Sequence, residues 1–306
     1  MNTRHALNLV LVCIVVVLVL FTIYEPGIEK PGQTLLSNEL QVGQINHITL
    51  QRNGKQIIKL EKQQQGWKIT EPFQLAANDI QVYGLLSILK EKSFAQITSK
   101  QDELNKFGLK NPVVRLFLND TEISIGTTDP INFRRYALID GTIHLVNDAI
   151  YRYLSMEANR FISYTILADN KDIIEIELPE VKLSRDNDDA SWIVSPISAA
   201  LSADEINALL ATWRHARAIE VNHWSNINNT AVEAEGKSEQ SISFRFADQT
   251  RLILTIIPTE TDLVLGRKDA GIKYRLPEKL KASLLNAQPP EKPTDGIEST
   301  KNLPTQ

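Results

Sequence analysis

One cysteine, Cys13, stands in a chain of 306 residues. That excludes an internal disulfide framework and any zinc or iron–sulfur centre built on cysteine. Basic charge is not in excess either. With 33 Lys plus Arg against 37 Asp plus Glu, the formal net charge is −4, and nothing in the balance points to nucleic acid. The chain has no G-x-S-x-G elbow, no P-loop, no G-x-G-x-x-G after a strand and no H-E-x-x-H. The composition is otherwise ordinary, at 42% hydrophobic and 23% charged, which excludes a collagenous or wholly disordered protein. The length suits about two domains of roughly 150 residues.

What is present begins with an apolar run. From residue 6 to residue 24 the strongest polar interruption is Asn8. As a helix this stretch rises roughly 28 Å, close to the ~30 Å hydrocarbon thickness of a bilayer. It is longer than the apolar region of a signal peptide, and residues 21–26 offer no small-x-small cleavage site. Cys13 follows Leu11-Val12 deep within the run, unlike a lipoprotein cysteine. The expectation is an uncleaved single-pass transmembrane helix over 6–24, preceded by residues 1–5 in the cytoplasm. Arg4 and the terminal amine precede it, whereas Glu25, Glu29 and Lys30 follow, so the positive-inside rule puts the body outside. In a bacterium that compartment is the periplasm. The exported body carries 32 basic and 37 acidic residues, a net of −5.

The body reads as a tandem duplication. Trp67 and Pro72 are echoed by Trp192 and Pro196, and a helical pattern follows each pair. Val82, Leu85, Leu86 and Leu89 recur 124 positions later as Ile206, Leu209, Leu210 and Trp213, one apolar stripe at helical spacing. The caps keep the same offset: Asn78 with Gln81, and Ser202 with Glu205, fit a capping box. Trp67 and Trp192 are expected to wedge beneath their helices.

Alternating strand patterns surround both helices. They fall at 47–52, 56–61, 114–118, 122–125, 136–139 and 143–146 in the first copy. In the second they fall at 173–178, 181–185, 242–246, 251–256, 262–265 and 272–276. Short helical patterns close each copy near 149–154 and 278–285. Tight turns such as Asn53-Gly54 and Asp140-Gly141 make the sheets mostly antiparallel. The expected class is α+β: two tandem repeats, each a mostly antiparallel sheet with one long packed helix, behind a single transmembrane helix. The boundaries are a linker over 25–44, a first repeat over 45–160, a second over 161–286, and a disordered Pro-rich tail over 287–306.

The tryptophan–proline element with its capped helix, together with Phe107-Gly108-Leu109-Lys110-Asn111-Pro112, resembles the bacterial family called domain of unknown function 4340. Ile125-Gly126, Arg135-Tyr136-Ala137-Leu138-Ile139-Asp140-Gly141 and Asn159-Arg160 are further points of similarity. The likeness covers most of residues 40–286. It implies a membrane-anchored, exported protein with no established reaction, and a possible neighbourhood to ABC-type export systems. The second copy departs from it, because no Phe-Gly-Leu-x-x-Pro stands between Trp224 and Ser241.

Candidate chemistry reduces to a few clusters, each with a plainer structural reading. His215 and His223, with Glu220 between them, fit no common zinc spacing, and His215 suits a helix C-terminus. Asp186-Asn187-Asp188-Asp189 lacks the glycine and terminal glutamate of a calcium loop and reads as a solvated turn. Arg134-Arg135 could meet an anion but reads as a charged sheet-edge guard. Trp67, Trp192 and Trp213 read as core, whereas Trp224 borders a long polar loop over 225–239. No residue is nominated as catalytic, cofactor-binding or metal-ligating, and no cofactor is expected. The functional expectation is a periplasmic binding or scaffolding protein of the inner membrane, with envelope proteins as partners, among which the family resemblance implies ABC transporter subunits. The alternatives are an envelope hydrolase with its site between the repeats, and a lipid or ligand carrier.

Overall fold

Alternation of apolar and polar residues carries most of the body into strands, because side chains in a strand point to opposite faces with a period of two. A computed structural model describes residues 3–24, 33–34, 40–98, 101–168, 171–185, 191–196, 201–224 and 240–285. The chain opens with helix α1 (Thr3–Tyr24), then β1 (Gln33–Thr34), β2 (His47–Arg52), β3 (Ile58–Gln63), β4 (Gly66–Glu71) and β5 (Leu75–Ala76). Helix α2 (Asp79–Leu86) leads to β6 (Lys92–Ser93), β7 (Ala95–Thr98), β8 (Val114–Leu118), β9 (Thr121–Thr128), β10 (Arg135–Ile139) and β11 (Thr142–Val146). After α3 (Tyr151–Leu154) come β12 (Ile173–Glu177), β13 (Lys182–Ser184), β14 (Ile193–Ser195) and α4 (Ala203–His215). The chain then runs through β15 (Glu220–His223), β16 (Ser241–Phe246), β17 (Arg251–Ile257), β18 (Leu263–Arg267), β19 (Ile272–Leu276) and a last helix, Lys281–Leu285. The fold is α+β with antiparallel sheets.

By contact the chain divides into two compact units, residues 1–57 with 83–155, and residues 58–82 with 156–306. In the first, strands run in the antiparallel order β2–β8–β9–β10–β11–β7, and β1 pairs with β6. Its core is aliphatic: Ile48, Leu50, Leu116, Leu118, Ile123 and Ile125 are essentially inaccessible. In the second, β5–β4–β3 form one antiparallel ladder. An eight-stranded sheet there has the order β14–β13–β12–β16–β17–β18–β19–β15. The series β12–β16–β17–β18–β19–β15 thus repeats β2–β8–β9–β10–β11–β7 strand for strand. The hairpin β13–β14 likewise corresponds to β3–β4. The bonds Glu71–Pro72 and Ser195–Pro196, after the outgoing strand of each hairpin, are both cis.

Both predicted stripes are buried. Val82, Leu85, Leu86 and Leu89 lie inside, as do Ile206, Leu209, Leu210 and Trp213. The two helices differ in length and capping. In α4 the capping box is complete: Ser202 Oγ accepts from the Glu205 amide, and Glu205 Oε2 accepts from the Ser202 amide at 2.8 Å. In α2, Asn78 Oδ1 instead accepts from the Ile80 amide at 3.1 Å, and Asp79 turns its carboxylate to the Trp67 amide at 3.3 Å. Helix α2 stops after eight residues and tightens into a 3₁₀ turn, Ser87–Lys90. The Ser87 hydroxyl donates to the Gly84 carbonyl at 2.6 Å, the kind of back-bond that competes with regular helix.

The tryptophans separate into two environments. Trp213 is fully buried, edge-on to Phe244 with centroids 4.9 Å apart, and its indole N–H donates to the Leu284 carbonyl at 3.0 Å. Trp67 is also buried, but its indole nitrogen has no acceptor among the described residues. Trp224, which borders the polar loop, is buried too: its ring lies against Gly266, where a Cβ would stand 2.4 Å from it. Trp192 is not fully buried as the core reading expects. It is half-exposed, with the Arg185 guanidinium 5.2 Å from its ring centroid, because β14 is a three-residue strand at the edge of its sheet.

Residues 158–165 form a strap within the second unit. The Asn78 amide donates to the Phe161 carbonyl, and the Ser163 amide to the Ala76 carbonyl. On the strap's other side Asn159 Nδ2 donates to the Val221 carbonyl at 2.8 Å, and the Ala218 amide to the Tyr164 carbonyl. Among the described residues no helix is long and apolar enough to cross a membrane. Within α1 the side chains described are His5 and residues 8–20, and those at 9–20 are all exposed. The acidic turn 186–189, the loop 225–239, the tail 287–306 and most of the linker 25–44 lie outside the described residues.

One stability prediction follows from the two indoles. Trp213→Phe strands a buried carbonyl, whereas Trp67→Phe removes a buried donor that has no acceptor. Urea unfolding should therefore show Trp213→Phe to be the more destabilising by about 1–2 kcal/mol, since the volume lost is the same. Equal costs would contradict this reading of the two sites.

Candidate functional site

The residues that carry the resemblance in the first unit come together in space. The 3₁₀ stretch Gln101–Phe107 ends at Gly108, which has φ +67°, a conformation open mainly to glycine. A Cβ there would also stand 2.6 Å from Thr127 Cγ2. This turn lays Phe107 across β9: the Phe107 carbonyl accepts from Thr127 Oγ1 at 3.1 Å. Gly126 permits the approach, because a Cβ at 126 would lie 2.2 Å from that carbonyl. The Phe107 ring meets Tyr136 of β10 edge-on at 4.9 Å, and Leu109 is buried beside them.

Arg135 ties the cluster together. Its Nη1 donates to the Gly126 carbonyl at 2.9 Å, its Nε donates to Asp148 Oδ1, and its guanidinium lies 3.9 Å from the Tyr151 ring centroid. The residue is buried at 9% exposure, which corrects the reading of Arg134-Arg135 as an edge guard. Arg134 is half-buried and lays its guanidinium 3.6 Å from the Phe94 ring centroid. A buried guanidinium costs several kcal/mol unless its donors are met, so these partners decide whether the site forms.

Between β9 and β10, residues 129–134 close a loop over a register shift in the ladder. Asp129 organises it. Its amide donates to the Arg134 carbonyl at 2.6 Å, and its carbonyl accepts from the Phe133 amide at 3.0 Å. The Asp129 carboxylate accepts from the Asn132 amide at 2.9 Å, from Asn132 Nδ2 at 3.1 Å and from the Tyr136 hydroxyl at 3.2 Å. The Asn132 amide, above all, holds this carboxyl below its ordinary value. So constrained, the loop puts Phe133 at φ +53°, strained for a residue with a Cβ. Ile131 and Phe133 are left 79% and 76% exposed. Two large apolar side chains on a closed, hydrogen-bonded loop are a surface suited to contact rather than to chemistry.

The other candidate residues lie elsewhere. Glu220 is paired with Arg275 at 2.9 Å, and its carboxyl is held low first by the Asn222 side chain and then by this arginine. His215 ends α4 and His223 ends β15, both exposed. The loop 129–134 was not singled out by sequence. Its one legible signal is Asp129 followed three residues later by Asn132, a pattern of side-chain-to-backbone turn closure.

Two outcomes test this geometry. Gly126→Ala drives a methyl into the Phe107 carbonyl and should destabilise the protein by about 2–4 kcal/mol in urea unfolding. A cost near zero would mean that the turn does not rest on β9 as described. A carboxyl lowered on folding contributes stability above its unfolded value, near 3.8, and that stability is lost as pH falls through the folded value. The amides of Asn132 and Phe133 should therefore lose hydrogen-exchange protection on acidification below about pH 4, and Asp129→Asn should remove that dependence. Protection that is independent of pH in the wild-type chain would contradict the role given to Asp129.

No curated protein and no solved structure matches the chain. The model of one family does, over residues 67–239, more than half of the chain and inclusive of the whole cluster around Arg135. The chain therefore belongs to the family described as domain of unknown function DUF4340.

Proposed function

We propose that this is a membrane-anchored, exported binding or scaffolding protein, and that the loop 129–134 of the first unit is its contact surface for an envelope partner. The observation that carries the reading is the pair Ile131 and Phe133, exposed on a loop that Asp129 closes with five hydrogen bonds. Exposed apolar side chains cost solubility, and holding one at positive φ costs of order 1 kcal/mol or more. A rigid loop of this kind lowers the ordering cost of association. The sequence of residues 6–24 supports a transmembrane anchor, with residues 1–5 in the cytoplasm and the body in the periplasm. An anchor confines the body near the bilayer and raises its effective concentration beside a membrane partner. The shared strand order of the two halves supports duplication of one ancestral unit. Family resemblance suggests a complex of the ABC-transport type as the setting.

The test is site-specific photocrosslinking in intact membranes, with the probe at position 133 of the full chain. One stoichiometric protein adduct is expected, and Ile131→Ser should reduce it several-fold without a shift in Tm. Recovery of the chain alone, or an adduct indifferent to Ile131→Ser, would contradict the proposal. A C-terminal reporter fusion active in the cytoplasm would overturn the topology.

A further inference from the structure

Away from that loop, the first unit contains a small hollow lined by two opposite charges that form no ion pair among the described residues. Its making begins with Gly84 in α2. A Cβ at this position would stand 2.1 Å from Tyr153 Cε1 and within 2.6 Å of two further ring atoms, so the Tyr153 ring of α3 packs directly against the helix backbone. Beside that contact opens a cavity of about 300 Å³ lined by Ser87, Glu91, Ala149, Ile150, Arg152 and Tyr153. Ile150 is fully buried and, with the phenol ring, supplies apolar wall.

The hydroxyls at the hollow are committed. Ser87 Oγ donates to the Gly84 carbonyl at 2.6 Å, and the Tyr153 hydroxyl accepts from Arg152 Nη2 at 2.8 Å. The charges form no ion pair. Among the described residues, the half-buried Glu91 carboxylate has no ion pair or hydrogen bond, and burial pushes its carboxyl up from the ordinary value. Arg152 is exposed, and among the described residues its guanidinium meets Tyr153, by that hydrogen bond and at 4.8 Å from the ring centroid. It makes no salt bridge, although a carboxylate lines the same cavity. Glu91 is half-buried and Arg152 is exposed, and two opposite charges that line one cavity without an ion pair between them leave both open to a ligand that carries the complementary charges.

We propose that this hollow binds a small zwitterion, its ammonium on Glu91 and its anionic group on Arg152. A planar guanidinium suits a carboxylate or phosphate, and a compact ammonium suits a carboxylate in a partly desolvated wall. The short carbon link of such a ligand would lie against Ile150 and the Tyr153 ring. The volume accommodates a ligand of amino-acid size. Two sources share this chemistry: a free amino acid, and the ethanolamine phosphodiester of a lipid headgroup. The inference is independent of the loop 129–134.

Calorimetric titration of the full-length protein in nonionic detergent, with glycine and separately with glycerophosphoethanolamine, tests it. Saturable binding of at least one is expected. Glu91→Gln and Arg152→Gln should each weaken that binding about tenfold or more, with Tm unchanged. Stronger binding of glycine assigns the site to a free amino acid, and stronger binding of glycerophosphoethanolamine assigns it to a headgroup; either supports the proposal. It is overturned if neither binds, if both variants bind as the wild type does, or if ethylammonium and acetate alone bind as tightly as the zwitterions.

Discussion

The described part of the first unit turns on one buried guanidinium. Arg135 sits where a charge is costly, and it is tolerated because Gly126, Asp148 and the Tyr151 ring meet it from three sides. Each partner belongs to a different element. Gly126 is in β9, which also receives the Phe107 carbonyl; Asp148 begins the 3₁₀ turn ahead of α3; Tyr151 opens α3. Satisfying one side chain therefore fixes the Phe107-Gly108-Leu109 turn, the β9–β10 hairpin and the start of α3 together. The loop at the end of that hairpin inherits its rigidity from the same anchoring.

Such an arrangement explains why the motif residues are small or planar where they are. Gly108 and Gly126 are needed for backbone approach, one at positive φ and both because a Cβ would collide. The second sheet solves a related problem with other residues: Gly266 of β18 makes room for the Trp224 ring, and the Trp224 amide donates to the Gly271 carbonyl. The strand order is common to both halves, while the side chains that press on their sheets differ.

Much of the fold was legible in sequence because its signals are local. Ser202 with Glu205, and the stripes at 82–89 and 206–213, needed only spacing to be read. Strands β8 and β19 fall where alternation puts them. The misses share a physical cause, which is dependence on side-chain contacts that apolar periodicity does not encode. The burial of Arg135 depends on Asp148, thirteen residues away, and on a carbonyl of the neighbouring strand. The half-exposure of Trp192 depends on its strand being at an edge. Exposure of Ile131 and Phe133 depends on Asp129 closing the loop, which alternation does not encode. The hollow beside Tyr153 arises from a helical glycine, and a glycine inside a helical pattern reads in sequence only as a mild destabiliser.

The buried Arg135 holds the loop 129–134 in its closed form. Hydrogen exchange on Arg135→Met, compared residue by residue with the wild-type chain, tests it most directly. Faster exchange is expected at the Asn132 and Phe133 amides, with strands β16 to β19 unaffected. Unchanged protection of the loop in this variant would contradict it.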